Sequence, residues 1–319
     1  MAANLDKPNR WKSDIAESVD LYNRWFMEFA PKAFRSARTD TSGKVIQALD
    51  ATADLLSLTA DSLRAHPASL RTLRLSSAPP LAADRLSGLA GVSRSMVNRM
   101  ENQDALPQRM GPEALEINLK KLATVLSRMA DKDLFVWLEA SRVPSEAERE
   151  RAIAVVSDRL SGATADPVIR NAQESRQLLL LKSWLEGREY LEISTDQHFS
   201  LDEMKPGSFR LRASIPIKQQ SGRQVNIPVD VAVMPKQAGK RDFPVVIEAK
   251  SAGDFANVNK RRKEEAAKAA QLRDTYGRGV NFALFLCGYF DSGYLGYEAA
   301  ESIDWVWEHR PDDLVELGL

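Results

Sequence analysis

The chain has 319 residues, 44% of them hydrophobic and 28% charged, which suits a protein of one large or two ordinary domains. Its 44 basic and 44 acidic residues cancel, so binding to a polyanion would depend on local patches of charge. The single Cys287, three scattered histidines and lack of any long apolar run argue against a disulfide framework, a zinc site and a membrane span, and we expect a soluble cytoplasmic protein.

The first 140 residues are predicted to be helical. Between residues 18 and 35, the apolar residues Tyr22, Trp25, Phe26 and Phe29 recur at helical spacing. Further helices are predicted at 43–58, 115–130 and 132–140.

Two more helices are predicted before residue 187, where β-prone segments begin. Ser145 and Glu148 have the spacing of a capping box, which would open a helix to about Leu160. A turn should follow, with Asp166 as N-cap and Pro167 in the first position of a helix to about Glu186.

Beyond residue 187 the sequence consists mainly of short β-prone segments. Turn-forming residues separate YLEIS, FRLRASIPI, VNIPVDVAVM, FPVVIEAK and VNFALFLCGYF, and one long helix is predicted at 255–276. This order predicts an α+β (α/β-like) fold, with a mixed β-sheet core flanked by helices. We therefore divide the chain into a helical region, 1–140, and a sheet domain, 141–319.

Three charged residues interrupt the apolar strands. Because side chains alternate across a strand, Asp230 points away from Val229 and Val231, and Glu248 and Lys250 share one face of the later strand. If the strands are neighbours, two carboxylates and one ammonium meet, and two carboxylates suit Mg²⁺. The alternative interpretation is a structural ion pair between Glu248 and Lys250, with Asp230 nearby.

These residues carry a resemblance to a known superfamily. PVD at 228–230 followed by IEAK at 247–250 resembles the PD-(D/E)XK nucleases, although Val229 separates the proline from the aspartate. More narrowly, residues 4–35, 165–178 and 259–277 look like the XamI-type family of type II restriction endonucleases.

The resemblance implies a Mg²⁺-dependent hydrolysis of phosphodiester bonds. Its catalytic residues would be Asp230, Glu248 and Lys250, and its metal ligands the carboxylates of Asp230 and Glu248 with the backbone carbonyl of Ala249. Glu174 matches a glutamate that many of these nucleases carry near the metal, on the helix before the sheet. A surface glutamate paired with Arg170 or Lys182 is the alternative.

A basic turn follows the Glu-x-Lys strand by about ten residues. Its residues Lys260, Arg261, Arg262 and Lys263 would bind DNA phosphates, with Asn257 and Asn259 hydrogen-bonding phosphates or base edges. A solvated helix face with internal ion pairs is the alternative.

Residues 82–107 have the pattern of a helix-turn-helix, with a candidate at 84–102. A helix to Ala90, a turn at Gly91 and a helix from Ser93 resemble the repressor type of this motif. We expect four residues of the second helix to face DNA: Arg94, Ser95, Asn98 and Arg99. The alternative interpretation is a packed helical hairpin, which would give the same pattern.

We predict a type II restriction endonuclease that cleaves double-stranded DNA at a short palindromic site. It would act as a homodimer, because two-fold symmetry supplies two active sites, and a companion DNA methyltransferase is expected. Two alternatives remain: a repair or recombination nuclease of the same superfamily, and a helix-turn-helix regulator with an inactive nuclease-like domain.

Overall fold

The protein folds into two compact units. A computed structural model describes residues 2–194, 201, 204–218, 222–239, 242–255 and 258–319, without the side chains of 258–262. The first unit contains Met1–Phe29 and Ile169–Leu319, and the second contains Ala30–Val168. These limits differ from residue 141, where we divided the chain into a helical region and a sheet domain, and that division stays a prediction.

Nine α-helices and six strands can be followed through the described residues. The helices are α1 Pro8–Ala51, α2 Ala60–Ala65, α3 Ser69–Leu75, α4 Ala83–Ala90, α5 Arg94–Gln103, α6 Pro112–Met129, α7 Glu146–Glu186, α8 Val258–Tyr276 and α9 Ser292–Ala300. The strands are β1 Leu191–Glu192, β2 Ser208–Lys218, β3 Gln224–Met234, β4 Val245–Ala252, β5 Phe282–Gly288 and β6 Asp304–Trp307. A short 3-10 helix, Pro311–Leu317, follows β6.

The second unit has a helical core. Leucines of α2, α3, α4 and α6 are buried together with Val45 and Leu49 of α1, because each helix carries apolar residues at helical spacing on one face. Residues 132–140 were predicted to form a helix but form turns. Phe135 and Trp137 are fully buried there, and the Trp137 indole N–H donates to the carbonyl of Asp54 at 2.8 Å.

Helix α7 continues through Pro167, so the predicted break at 161–167 is wrong. A proline within a helix provides no N–H for the carbonyl four residues earlier, which here belongs to Ala163. Arg71 donates to that carbonyl from its Nη2 atom at 3.1 Å. A side chain distant in sequence thus replaces the lost hydrogen bond.

The sheet of the first unit is mixed. Its strand order is β1-β2-β3-β4-β5-β6. The pairs β2–β3 and β3–β4 are antiparallel, whereas β1–β2, β4–β5 and β5–β6 are parallel. Helix α8 connects β4 to β5 and α9 connects β5 to β6, as parallel neighbours require.

Helices cover both faces of this sheet. On one face, Ala269 and Leu272 of α8 pack with Val246 and Leu284. On the other, Leu178, Leu181 and Leu185 of α7 belong to a cluster with strand residues such as Ile247 and Phe285. The predicted α+β fold with a mixed sheet between helices is confirmed. No helix in the described part of the chain has a stretch apolar enough to cross a membrane.

Candidate active site

Strands β3 and β4 bring Asp230 and Glu248 side by side. Antiparallel pairing joins Val231 to Ile247 and Val233 to Val245. Continuing this register by one residue sets Asp230 opposite Glu248. The backbone N–H of Ala249 donates to Oδ2 of Asp230 at 2.8 Å, which fixes the aspartate against β4.

Glu248 is almost fully buried between two lysines. The residue is only 3% exposed. Nζ of Lys268 lies 2.7 Å from its Oε1 atom, and Nζ of Lys250 lies 3.3 Å from its Oε2 atom. Burying a carboxylate is unfavourable without such partners, and the two ammonium groups offset this cost.

Lys250 is held as an ammonium. Burial by itself would lower its pKa, but the negative charges of Glu248, Glu265 and Asp230 outweigh burial and raise the pKa above the usual value. A lysine whose pKa is raised is a poor proton acceptor. Its chemistry here is therefore that of a fixed positive charge and hydrogen-bond donor.

Asp230 lies in an environment that disfavours a second negative charge. Burial, followed by the nearby charge of Glu248, raises the pKa of Asp230 from 3.8 to about 6. The Ala249 N–H and Lys250 act in the opposite direction and do not fully offset these effects. A cation between the two carboxylates would remove this repulsion.

A cleft of about 510 Å³ opens over these side chains. It is lined by Asp230, Glu248 and Lys250 from the strands and by α7 residues that include Glu174. Glu174 is half-exposed and pairs with Arg212, at 3.2 Å between Oε1 and Nη2, rather than with Arg170 or Lys182. Its negative charge also contributes to the raised pKa of Asp230. Two adjacent carboxylates and one ammonium thus face an open cleft.

Two comparisons with known proteins bear on this arrangement. The model of the XamI restriction endonuclease family matches residues 53–307, a range that includes the three strand residues of the cleft. The chain belongs to the XamI restriction endonuclease family. The type II restriction enzyme SalI of Streptomyces albus G is 49% identical to it over 315 residues, which cover 99% of each chain. No solved structure matches the chain.

Family membership confirms the predicted enzyme class. The chain is a type II restriction endonuclease, an enzyme that cleaves DNA at specific sites. Enzymes of this class generally use a divalent metal ion.

The donor set of the cleft fits a single hard cation. Asp230 and Glu248 can contribute carboxylate oxygens, and Mg²⁺ commonly takes one or two carboxylates and completes its coordination with water and phosphate oxygens. Among the described residues, no group of three or more acidic, histidine or cysteine side chains is arranged as a metal site. Water and substrate would therefore supply most of the ligands.

Most of the predicted basic turn lies outside the description. Asn257 and the side chains of Asn259, Lys260, Arg261 and Arg262 belong to the residues that the structure leaves undescribed. Lys263 is exposed on α8. Contact of this turn with DNA stays a prediction.

Helices α4 and α5 are joined by a short turn. Gly91 ends α4 with a left-handed φ of 60°, and Ser93 caps α5 by accepting the Met96 N–H. Met96 is buried with Val97 and Met100.

The four residues of α5 predicted to face DNA differ in exposure. Arg94, Ser95 and Asn98 are exposed, whereas Arg99 is half-buried. Nε of Arg94 lies 2.8 Å from Asp84, and Asn98 accepts a hydrogen bond from Asn102 at 2.6 Å. Reading of bases by these residues stays a prediction.

Sequence reasoning missed Gln177, which lines the cleft, and two residues of α8 that contact Glu248 and Lys250. Glu265 and Lys268 of α8 approach Lys250 and Glu248. Gln177 of α7 donates to the carbonyl of Phe285 at 3.2 Å and accepts a hydrogen bond from Ser251 at 2.8 Å. The residues 265, 268, 269 and 272 share helical spacing with apolar residues, and this periodicity could have placed the two charges on the buried face of α8.

Proposed function

We propose that this enzyme uses Mg²⁺ to hydrolyse phosphodiester bonds in double-stranded DNA at a short, specific and palindromic site. The observation that carries the proposal is the cleft in which Asp230, Glu248 and Lys250 meet on β3 and β4. The similarity to a type II restriction enzyme supports the DNA substrate.

In hydrolysis a water oxygen forms a bond to phosphorus while one ester oxygen leaves. Mg²⁺, when bound, would neutralise phosphate charge and make water more acidic. Asp230 and Glu248 would hold the ion, with the carbonyl of Ala249 as a third protein ligand. Lys250, held as an ammonium, would orient the water and stabilise the negative charge that develops on the phosphate oxygens. Glu174, on the α7 side of the cleft, would assist at the metal.

Two regions would contact the DNA itself. The basic turn at 260–263 begins α8, and Glu265 of the same helix reaches Lys250. The basic side chains of the turn would bind backbone phosphates, and Asn257 and Asn259 would hydrogen-bond phosphates or base edges. On α5, Arg94, Ser95, Asn98 and Arg99 would read base edges in the major groove, since arginine pairs well with guanine and asparagine with adenine. The pair α4–α5 would then act as a helix-turn-helix.

The proposed site implies partners. A palindromic DNA site presents the same atoms to two copies of one protein, so we propose a homodimer with two active sites. A nuclease that cuts the DNA of its own cell would be lethal, and a companion methyltransferase that protects the site is therefore proposed. DNA as substrate also makes the cytoplasm the proposed location.

The first experiment maps the products of cleavage. The protein is incubated with a sequenced plasmid and Mg²⁺, and the ends of the fragments are determined. Discrete ends within one repeated palindrome are expected. Cutting at branched or damaged structures without regard to sequence would contradict the proposal in favour of a repair nuclease.

Substitutions then test the residues. Asp230→Ala and Glu248→Ala should each abolish cleavage while DNA binding in Ca²⁺ remains, because the metal site is lost and the DNA surface is not. Lys250→Ala should abolish cleavage but retain metal binding. Lys236→Ala is a suitable control, since it breaks a lysine–glutamate pair with Glu189 on another part of the surface. If Asp230→Ala or Glu248→Ala cleaves DNA at the wild-type rate, the substituted residue has no part in the mechanism.

A further inference from the structure

Four side chains of alternating charge form a row beneath the cleft. Lys268 lies 2.7 Å from Glu248, Glu248 lies 3.3 Å from Lys250, and Lys250 lies 3.5 Å from Glu265, measured between the charged atoms. The two inner members come from β4 and the two outer members come from α8. Each proposed catalytic group of β4 therefore contacts an opposite charge supplied by the helix.

Glu265 is the most unusual member of the row. It is only 2% exposed, and neither carboxylate oxygen accepts a hydrogen bond from any described residue. Buried carboxylates that lack hydrogen bonds are unfavourable and uncommon, and each requires an explanation. The ammonium of Lys250 is the charged partner that the structure gives it. A neutral side chain of the same shape would fill the space without this cost.

Lys268 is anchored at two points. Its Nζ donates to Oε1 of Glu248 at 2.7 Å and to the backbone carbonyl of Pro228 at 2.9 Å. Pro228 belongs to β3, two residues before Asp230. The lysine thus ties α8 to both strands that carry the proposed metal ligands, and its own position is fixed by the second hydrogen bond.

We propose that Glu265 and Lys268 are positioning residues, Glu265 for the ammonium of Lys250 and Lys268 for the carboxylate of Glu248. This inference rests on the proposed function of the two β4 residues. Groups that act on a reacting phosphate must be held close to their working geometry, and charged partners behind them provide this. Without Glu265, Glu248 is the ion-pair partner that Lys250 keeps among the described residues, so the ammonium is drawn towards this proposed metal ligand. Without Lys268, the Glu248 carboxylate turns towards Lys250.

The test compares kcat and KM in variants of the full-length protein. Glu265→Gln and Lys268→Met keep the approximate shape of each side chain and remove its charge. We expect kcat to fall about 10- to 100-fold, the usual effect of losing a partner behind a metal ligand. KM for a DNA fragment with the cleavage site should stay within about twofold, because neither residue is assigned to DNA. Lys268→Arg, which retains the donor charge, should recover most of the lost kcat.

Matched controls separate this role from general stability. Lys236→Ala removes a lysine from another lysine–glutamate pair and should leave both constants unchanged. Near-wild-type kcat in Glu265→Gln and Lys268→Met, with Asp230→Ala and Glu248→Ala inactive, would overturn the positioning role alone. Cleavage by Asp230→Ala and Glu248→Ala would instead overturn the proposed function. An increase in KM at constant kcat would also overturn the positioning role, because it would indicate DNA contact.

If the charge-removing variants fail to fold, a second variant tests the positioning role of Glu265. Glu265→Asp keeps the charge but withdraws the carboxylate from Lys250 by one methylene. A lower kcat at unchanged KM and unchanged melting temperature supports positioning. A wild-type kcat in this variant overturns it.

Discussion

The substitution Asp230→Asn should abolish cleavage and at the same time stabilise the metal-free protein. Burial and the neighbouring Glu248 raise the pKa of Asp230 from 3.8 to about 6. In the window between these two values the folded protein binds more protons than the unfolded chain. The stability of the wild type therefore falls as pH rises through this window and remains lower above it.

The size of the effect follows from the same two values. The difference between 3.8 and about 6 corresponds to about 3 kcal/mol of unfolding free energy above pH 6. Asparagine has the shape of aspartate, and its amide oxygen can still accept the Ala249 N–H that now bonds Oδ2 at 2.8 Å. The substitution thus removes the unfavourable charge and keeps the hydrogen bond.

Urea and thermal unfolding in EDTA measure the stability of the variant and of the wild type. At about pH 8 the variant should be more stable than the wild type by up to about 3 kcal/mol, and at about pH 4 the two should be nearly equal. Asp274→Asn, which removes an exposed carboxylate from α8, is the control and should show no such dependence on pH. If Asp230→Asn lowers stability equally at both pH values, the charge of Asp230 is not a cost to the fold and the reasoning is refuted.

Three further predictions concern the DNA surface and the fold. Single alanine substitutions of Arg94 and Asn98 should each weaken binding to the specific site by about 1–3 kcal/mol, with much less effect on random DNA, in competition binding with Ca²⁺; an unchanged specificity ratio would mean that α5 reads no bases. Alanine at all four positions of 260–263 should reduce the slope of log K against log salt by about 0.9 for each lost phosphate contact, and an unchanged slope would indicate a solvated face. Arg71→Ala should cost about 1 kcal/mol of stability in the wild type but less in a Pro167→Ala background, where the helix supplies its own N–H; equal costs in both would show that Arg71 does not compensate for the proline.

Much of the candidate active-site cleft could be predicted from local pattern. The alternation of apolar residues placed Asp230 opposite Val231 in β3, and Glu248 and Lys250 opposite Ile247 in β4. The structure brings all three charged residues to one cleft. Alternation determines which side of a strand a residue occupies. The turn predicted at Gly91 and the helix predicted from Ser93 also agree with the structure, because both depend on neighbours within a few residues.

Contacts between distant segments decided the rest. No local rule predicts that Arg71 donates to the carbonyl left free by Pro167, so the chain was expected to break where α7 continues. Local propensity also favoured a helix at 132–140, whereas this segment forms turns in which Phe135 and Trp137 are buried.

By itself, the sequence determined the family, the enzyme class and the strand face on which the charged residues lie. Only the tertiary structure decided which charged side chains of other elements contact these residues. Glu265 and Lys268 reach Lys250 and Glu248 because α8 crosses over from β4 to the parallel strand β5 and packs on the sheet through Ala269 and Leu272. Periodicity gives the buried face of a helix, but the side chains that this face meets depend on how the helix docks, which is a property of the packed core.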